Sequence, residues 1–410
     1  ESALLELKVL DPACGSGHFL IAAAHRIAKH LAAIRTGDDE PAPDAVRSAL
    51  RDVVSHCIHG IDLNPMAVEL CKVSLWMEAM EPGKPLGFLD HRIVRGNALL
   101  GATPELLEAG VPDDAFKPLT GDDKAAVTSL KKRNKAARSG QTSLFAGVSG
   151  PDTTMLAATA DEVAALDENS IGAVAKKARR WSELVNSSAY QAAVFAADTW
   201  CAAFVAEKTA TAPAITHETY RLAVEQPDRA AEQTRASVAR EADEYGFLHW
   251  HLAFLDAYAR PGKPGFDCIL GNPPWERVKL SEKEFFAARA PEIAVLAGAQ
   301  RKAAISKLAA DDPSMWTDYL RALRHADGES RLLRSSGRFP LCGRGDVNTY
   351  AVFAEAMRDG LAPTGRLGVI VPTGVATDDT TKYFFGDCVT SQRLVSLYDF
   401  ENTEKLFPGV

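Results

Sequence analysis

The stretch "VLDPACGSGHFL" (residues 9–20) joins an apolar strand, a glycine-bearing turn and the start of a helix. The strand ends at Asp11, and from Leu20 onward apolar residues recur at helical spacing. Gly15 and Gly17 leave the turn without side chains, so a ligand can approach the free N–H groups at the start of the helix. The pattern predicts the first unit of an open α/β sheet, with a ligand site at the carboxyl ends of its strands.

The glycine pair does not complete a dinucleotide fingerprint. That fingerprint has a third glycine where Leu20 stands and an acid about 20 residues further on. Here the acid that ends the next strand is Asp62, 45 residues after Gly17. The spacing favours a ligand with a smaller head group than NAD. Asp62 could accept both hydroxyls of a ribose, because Asn64 already provides the N-cap of the following helix.

Short apolar runs predict six strands, at residues 7–10, 57–61, 91–94, 266–270, 367–371 and 394–398. Several are followed by helical patterns, which predicts a fold of the α/β class, Rossmann-like and doubly wound, with a mostly parallel sheet. Roughly 165 residues separate the third strand from the fourth, far more than a normal crossover connection needs. We therefore expect a large helical insertion at 101–245 between a first part, 1–100, and a last part, 246–410, with a smaller helical insertion at about 276–340.

Composition limits the classes of function. The chain of 410 residues is 46% hydrophobic and 24% charged, as in ordinary soluble proteins, and it has no run of about 18 uncharged apolar residues. The net charge of −8 argues against a generally positive surface but leaves room for a local basic groove. A basic run at 131–138 is predicted to be a solvated helix face rather than a phosphate contact. Seven scattered cysteines suit reduced thiols in a cytosol, and no metal site is predicted.

A second strand and turn unit is "GFDCILGNPPW" (residues 265–275), in which an apolar run leads directly into Asn272, Pro273, Pro274 and Trp275. Proline fixes φ and has no N–H group, so the neighbouring acceptor oxygens are held in a rigid turn. The alternative is a proline turn that is merely capped by a core tryptophan.

Four motifs, "DPACGSGHF", "GIDLNP", "GNALLG" and "GNPPW", resemble in this order the S-adenosylmethionine-dependent DNA adenine-N6 methyltransferases of the gamma type. The cofactor half precedes the catalytic half, as in the methylases fused into type IIG restriction-modification enzymes. The long insertion and "NTYAVFAEAMRDGLAPTGRLGVIVPTG" (residues 348–374) resemble the large methylases of the BREX and DISARM phage-defence systems. The resemblance covers both halves of the predicted sheet and almost none of residues 101–245.

The resemblance implies which residues bind S-adenosylmethionine. The methionine end would be lined by Asp11, Ala13, Cys14, Gly15 and Gly17, with Phe19 supporting the turn. Asp62 would hold the ribose, Leu63 would pack on the adenine ring, and Asn97 with Ala98 would lie at its edge. Many family members have Asp at the position of Asn97, and Asn97 taken alone could equally be a turn residue.

The resemblance also implies that Asn272, Pro273, Pro274 and Trp275 are catalytic. The Asn272 side-chain oxygen and the Pro273 carbonyl could accept both N–H bonds of an adenine N6, which would direct its lone pair toward the methyl donor. Trp275 could stack on an adenine flipped out of a DNA duplex. Phe407 is either a second stacking aromatic or a hydrophobic anchor of its loop.

The partners implied are double-stranded DNA and other subunits of a defence system, in the cytoplasm of a bacterium near its nucleoid. After "LYDFENTEKLFPGV" this fold normally has another strand, so we expect the 410 residues to be part of a larger polypeptide without its DNA-reading domain. Two alternatives stay open. The same turn serves methyltransferases of protein glutamine or of RNA, and a DNA-binding subunit can lose catalysis while keeping the pocket.

Overall fold

A computed structural model describes residues 1–141 and 153–404, which fold around a parallel sheet of five strands. The strands are β1 (Val9–Asp11), β2 (Ile58–Asp62), β3 (Ile93–Arg95), β4 (Phe266–Gly271) and β5 (Leu361–Val369), in the order β3-β2-β1-β4-β5. Val9 lies opposite Ile58 on one side and Cys268 on the other, so β1 is the central strand. This topology confirms the predicted Rossmann-like α/β fold, and it places the two predicted turns at the ends of neighbouring strands.

Helices cover both faces of the sheet. They are α1 (Ser2–Leu5), α2 (His18–Thr36), α3 (Pro43–Cys57), α4 (Pro65–Glu78), α5 (Pro104–Ala109), α6 (Lys124–Gln141), α7 (Thr154–Ala164), α8 (Ile171–Val185), α9 (Ser188–Val205), α10 (His217–Glu225), α11 (Glu232–Tyr245), α12 (Trp250–Ala253), α13 (Leu255–Tyr258), α14 (Glu282–Ala287), α15 (Pro291–Ala294), α16 (Gly298–Asp311), α17 (Pro313–Ser335), α18 (Thr349–Asp359), α19 (Gly374–Thr377) and α20 (Lys382–Thr390). Within the described ranges, none of them is both long and apolar enough to cross a membrane.

Helices α2 and α4 follow directly from local sequence signals. In α2 the apolar positions Leu20, Ala24 and Leu31 are buried against the sheet, as their helical spacing requires. Helix α4 starts where Asn64 accepts a hydrogen bond from the Met66 N–H at 2.9 Å, with a proline at the first helical position. The chain therefore leaves β1 and β2 through turns whose geometry is set by the first residues of the following helices.

Alternate residues of the central strands enter two separate hydrophobic cores. Val9 and Ile58 pack with α2, α3 and α4 on one face. Leu10 and Ile61 face the other side, in a core that also contains Trp200 of α9. Because α9 shares this core with the strands, the helices between β3 and β4 form the second covering layer of the sheet. The domain boundaries at residues 100 and 245 stay a prediction.

The smaller helical segment, α14–α17, lies between β4 and α18 and has a hydrophobic cluster of its own. Phe285, Phe286, Ile293 and Tyr319 are buried in that cluster. This helical segment follows the Asn-Pro-Pro-Trp turn directly in the chain, so the packing of its helices influences the geometry of that turn.

The predicted strand at 394–398 is wrong. The segment has no regular secondary structure and pairs with no strand of the described chain. Val395 and Tyr398 are 80% and 76% exposed. An apolar run forms a strand only where a neighbouring strand satisfies its backbone groups, and the local pattern does not contain that information.

The carboxylate of Asp256 in α13 joins the helical layer to the amino-terminal ends of the strands. It lies 2.9 Å from Lys8 Nζ, 3.1 Å from Arg92 Nη1 and 3.2 Å from His59 Nε2. The surrounding positive charges outweigh the effect of burial and hold the pKa of Asp256 well below its usual range. Removing this carboxylate would leave a buried guanidinium and a buried ammonium without their anion.

We predict that Asp256→Ala lowers the free energy of unfolding by about 3–5 kcal/mol, because it leaves uncompensated buried charges. Equilibrium unfolding in urea at pH 7 measures the change. The control is Asp318→Ala, which removes an exposed ion pair with Arg321 and should cost less than about 0.5 kcal/mol. Equal effects of the two substitutions would contradict the assignment of the Asp256 cluster as a structural joint.

Candidate functional site

The glycine turn between β1 and α2 is held in a conformation that only glycine adopts readily. Gly17 has φ +90°, and a Cβ at this position would lie 2.9 Å from Cys71 Sγ in α4. Gly15 has φ +53°, and a Cβ there would meet no atom within 4 Å. Gly17 therefore allows α2 to pack closely against α4, whereas Gly15 leaves open space above the turn.

Asp62 ties the end of β2 to this turn. One oxygen of its carboxylate accepts the Gly15 N–H at 2.9 Å, and the other accepts the Asn64 N–H at 2.8 Å. Cys14 reinforces the connection, because its N–H donates to the Ile61 carbonyl at 2.9 Å. Next to Asp62, the side chain of Leu63 is 54% exposed, so its apolar surface remains available to a ligand.

Asp11 and Gly271 bring the ends of β1 and β4 together. A Cβ at Gly271 would lie 2.6 Å from Asp11 Oδ1, so the carboxyl group occupies the space of the missing side chain. Asp11 is 1% exposed, and Oδ1 accepts the Ala13 N–H at 3.0 Å. Burial, together with the negative charge of Asp62, raises the pKa of Asp11 to about 7. The glycine turn and the prolyl turn are thus separated by a single side chain.

The turn after β4 holds two acceptor groups, the exposed side chain of Asn272 and the carbonyl of Pro273, which is a buried residue. Asn272 is exposed, and its side chain makes no hydrogen bond within the described ranges. Thr349, at the start of α18, donates its hydroxyl to the Pro274 carbonyl at 2.6 Å and accepts the Glu276 N–H at 2.8 Å. The Pro273 carbonyl has no such donor among the described residues. Thr349 therefore holds the turn at Pro274 and Glu276 and makes no hydrogen bond to Asn272 or Pro273.

Trp275 is half-buried against the core that contains α9. Its indole N–H is buried and has no acceptor in the part of the chain that the structure describes. The ring is therefore neither a fully packed core residue nor a fully exposed one. Of the two interpretations of the turn, the capping of the core by tryptophan accounts for only part of this placement.

Asn97 lies at the end of β3, where the two helical segments meet the sheet. Its backbone N–H donates to the Gly246 carbonyl at 2.7 Å, and its Oδ1 accepts the Leu99 N–H at 3.0 Å. Its Nδ2 donates to the carboxylate of Glu329, in α17, at 3.4 Å. A Cβ on Gly246 would lie 3.1 Å from Leu63, so the position of Asn97 is contiguous with that of Leu63.

The structure brings most of the predicted site residues to one edge of the sheet and leaves others apart. Ala13 and Ala98 lie in the turns after β1 and β3, the second of them buried. Phe19 is 36% exposed on the first turn of α2, outside the core that fixes the glycine turn. Phe407 lies outside the described residues.

Two residues at this edge carry no recognisable signal in the sequence. Thr349 is a small polar residue at a helix start, and 75 positions separate it from the carbonyl that it holds. Glu329 is one of several acids in a long helix and is 232 positions from Asn97. Neither belongs to a local pattern, because both contacts depend on how the smaller helical segment packs.

Comparison with protein families decides the relationship. The model of the "Eco57I restriction-modification methylase" family matches residues 56–302, more than half of the chain. The chain belongs to this family. A second family model, "MmeI, DNA-methyltransferase domain", matches residues 1–83. The resemblance identified from the four motifs is confirmed, and membership of the Eco57I family implies S-adenosylmethionine as the methyl donor.

Two curated relatives of this Eco57I family member match over short segments. The "Adenine-specific methyltransferase PglX" of Streptomyces coelicolor is 40% identical over 78 residues, which are 18% of this chain and 6% of the relative. A "Putative type II restriction enzyme and methyltransferase" of Methanocaldococcus jannaschii is 30% identical over 112 residues, 25% of this chain and 9% of the relative. The matches therefore cover less than a tenth of each relative's length.

The residues present in this Eco57I family member fit the implied cofactor. The open space above Gly15 would accommodate a ligand close to the backbone, and the exposed surface of Leu63 suits the face of a base. The Asp62 carboxylate uses one lone pair of each oxygen for backbone N–H groups, which leaves acceptor capacity for hydroxyl groups. Across residues 1–141 and 153–404, no three side chains of the kinds that bind metals are grouped together.

We predict that Asp11→Asn makes the protein more stable at pH 8 relative to wild type than at pH 4. The pKa of Asp11 is raised from 3.8 to about 7 in the folded state. Between those pH values the folded protein holds a proton that the unfolded chain has released, so wild-type stability falls as pH rises through this window and is level above it. The amide removes this slope, and the difference between the two proteins should change by about 1–4 kcal/mol.

Urea unfolding at pH 4, 5.5, 7 and 8 measures the Asp11 effect. Asp318→Asn, an exposed position with the same chemical change, supplies the control and should give a difference independent of pH. A stability difference between Asp11→Asn and wild type that stays constant across this range would contradict a raised pKa at Asp11.

Proposed function

We propose that this chain contains the catalytic region of a DNA methyltransferase that transfers a methyl group from S-adenosylmethionine to the N6 amino group of adenine. The observation that carries the proposal is the contact between Asp11 and Gly271. It places the glycine turn, suited to the donor, beside the prolyl turn, suited to the acceptor base. Methyl transfer needs these two groups in line and within a few ångström, and positioning supplies most of the rate acceleration.

The cofactor, when bound, supplies an activated methyl group on a sulfonium, which is a good leaving group. Asn272 and Pro273 would activate the nucleophile. An adenine N6 is a weak nucleophile because its lone pair is delocalised into the ring. Two acceptors that each take one of its N–H bonds would favour the pyramidal nitrogen and aim the lone pair at the methyl carbon. Thr349 supports this geometry, because it donates to the Pro274 carbonyl, and no described residue donates a hydrogen bond to the other two acceptors.

We assign the binding of the base to Trp275. A base within a duplex cannot reach the prolyl turn, so it would have to be flipped out of the helix. Stacking on an aromatic ring contributes about 1–3 kcal/mol, which offsets part of the cost of unstacking. The indole N–H without an acceptor supports a role in which the ring changes its surroundings when a base arrives.

A cleft beside the prolyl turn supports DNA as the substrate. Its walls come from the segment after Trp275, from α17 and from the segment before α18, and it carries the cations Arg277, Lys279 and Arg334. Of the two acids in the cleft, Asp346 lies 3.8 Å from Arg277. This ion pair is exposed to solvent, so its interaction free energy is small. Asp327 accepts a hydrogen bond from Thr120 at 2.7 Å. We propose that the cations contact phosphates next to the flipped adenine.

The relatives favour a place for this activity in restriction-modification or phage defence. One is named as an adenine-specific methyltransferase and the other as a restriction enzyme and methyltransferase. We propose that this chain serves a bacterial system of that kind, in the cytoplasm, together with other subunits that select the DNA sequence. The domain assignment proposed with it is a cofactor half at 1–100, the helical insertion at 101–245 and a catalytic half at 246–410.

We predict that Asn272→Ala abolishes adenine methylation, with a loss of at least about 100-fold, because one of the two acceptors is removed. Affinity for S-adenosylmethionine should change by less than about twofold, since within the described ranges the Asn272 side chain makes no hydrogen bond to the glycine turn. Mass spectrometry of N6-methyladenine in duplex DNA measures the first effect, and calorimetry measures the second.

Asn169→Ala is the matched control for Asn272, because Asn169 is an exposed asparagine whose side chain, within the described chain, pairs only with Asp167. Full methylation by the Asn272 variant would remove the catalytic assignment. RNA and glutamine-containing peptides, added as competitors in the same assay, test the other two substrates of this type of turn. Methylation of either in preference to DNA would redirect the proposal.

The cleft predicts a change in salt dependence. The triple variant R277A/K279A/R334A should bind duplex DNA more weakly, and the slope of log affinity against log salt should fall by about 0.9 for each phosphate that the cleft no longer neutralises. Fluorescence anisotropy at several salt concentrations measures both quantities. The control variant is K131A/K132A/K135A, which removes three exposed cations of α6 that make no ion pair within the described ranges. An equal fall in slope for both variants would contradict a specific role for the cleft.

A further inference from the structure

Helix α17 forms a wall beyond Asn97, at the end of the proposed cofactor site. Glu329 of this helix accepts the hydrogen bond from Asn97 Nδ2 at 3.4 Å. One residue earlier, a Cβ on Gly328 would lie 2.3 Å from the Tyr245 hydroxyl, so only glycine allows this approach. His325 stacks on the Tyr245 ring, with centroids 4.5 Å apart and planes inclined by 5°. The helix is thus closely docked at the position where the adenine ring of the cofactor would end.

The hydrogen bonds that Asn97 already makes leave the adenine amino group without an assigned acceptor at this wall. An adenine amino group is a donor and requires an acceptor. The Asn97 Oδ1 already accepts the Leu99 N–H at 3.0 Å, and its Nδ2 points as a donor to Glu329. The two oxygens of the Glu329 carboxylate offer about four acceptor positions. In the described chain only the Asn97 bond occupies one of them, and no cation forms an ion pair with the group.

Helix α17 is attached to the turn after β3 by contacts that do not involve Glu329. Arg338, just beyond the helix, donates to the carbonyls of Ala98, Leu99 and Gly101 at 3.1, 3.1 and 2.8 Å. These three bonds fasten the same turn to the end of the helix. Desolvation of its carboxyl group meanwhile raises the pKa of Glu329. A half-buried carboxyl group with spare acceptor capacity at a ligand wall is typical of a recognition group.

We infer that Glu329 is the residue that recognises the exocyclic amino group of the cofactor's adenine, and that it makes the pocket specific for adenosyl over inosyl cofactors. The inference rests on the cofactor assignment of the proposed function. Leu63 and Gly246 are contiguous with Asn97, so a ring lying on Leu63 would direct its amino edge toward Asn97 and Glu329. The smaller helical insertion, which follows the prolyl turn in the chain, thereby contributes to cofactor selection.

Calorimetry with two ligands tests the assignment on the full 410-residue chain. S-adenosylhomocysteine carries the amino group, and S-inosylhomocysteine carries a carbonyl oxygen in its place. Wild type should bind the adenosyl ligand about 10- to 100-fold more tightly, since an acceptor site rejects an acceptor. In E329A the ratio should fall to about threefold or less. E329Q keeps an acceptor oxygen without the charge, and its ratio should lie between the two.

The matched control is E244A, which removes an exposed acid at the end of α11 whose side chain, among the described residues, makes no hydrogen bond with Asn97; its ratio should equal that of wild type. Circular dichroism establishes that each variant is folded, and E329Q carries the test if E329A is not. If E329A weakens both ligands equally, Glu329 is only a tether and the inference is overturned. If wild type binds both ligands alike, the inference falls and the cofactor assignment stands. If wild type binds neither, the proposed function itself fails.

Discussion

The site depends on the approach of two strand ends, where the Asp11 carboxyl group fills the space that a side chain at position 271 would take. Any Cβ at Gly271 would force β1 and β4 apart or displace the carboxyl group. Since the glycine turn follows β1 and the prolyl turn follows β4, this one contact sets the separation between the proposed donor and acceptor sites. The same arrangement raises the pKa of Asp11, because the carboxyl group is buried and forms no ion pair with any residue that the structure describes.

The helical segments do more than enclose the sheet. Helix α9 provides the hydrophobic layer over one face, and the Asp256 carboxylate fixes the end of that layer to Lys8 and Arg92 at the opposite edge from the site. At the site edge, Asn97 is contacted by Gly246, which follows α11, and by α17 of the smaller helical segment. The sheet supplies the turns, and α17 adjoins the proposed cofactor site at Asn97. The four sequence motifs therefore account for only part of the site.

The fold was accessible from the sequence wherever the signal was local. The five strands, the N-cap at Asn64 and the helical character of both insertions followed from periodicity and turn chemistry. The strand at 394–398 failed because pairing is a tertiary property that an apolar run cannot encode alone. The contacts of Thr349 and Glu329 could not be predicted for the same reason, since each contact joins positions far apart in the chain. The order of the motifs predicted the two turns, whereas the contacts that hold these turns are visible only in the folded structure.

The pairing of β1 with β4 has a consequence for the order of assembly. The two strands are about 250 residues apart, and everything between them must be accommodated before they can align. A nascent chain can complete the β1–β2–β3 half while the partner of its central strand has still to be synthesised. The glycine turn and the prolyl turn therefore meet only after β4 has been synthesised, so a shorter nascent chain holds the first turn without the second.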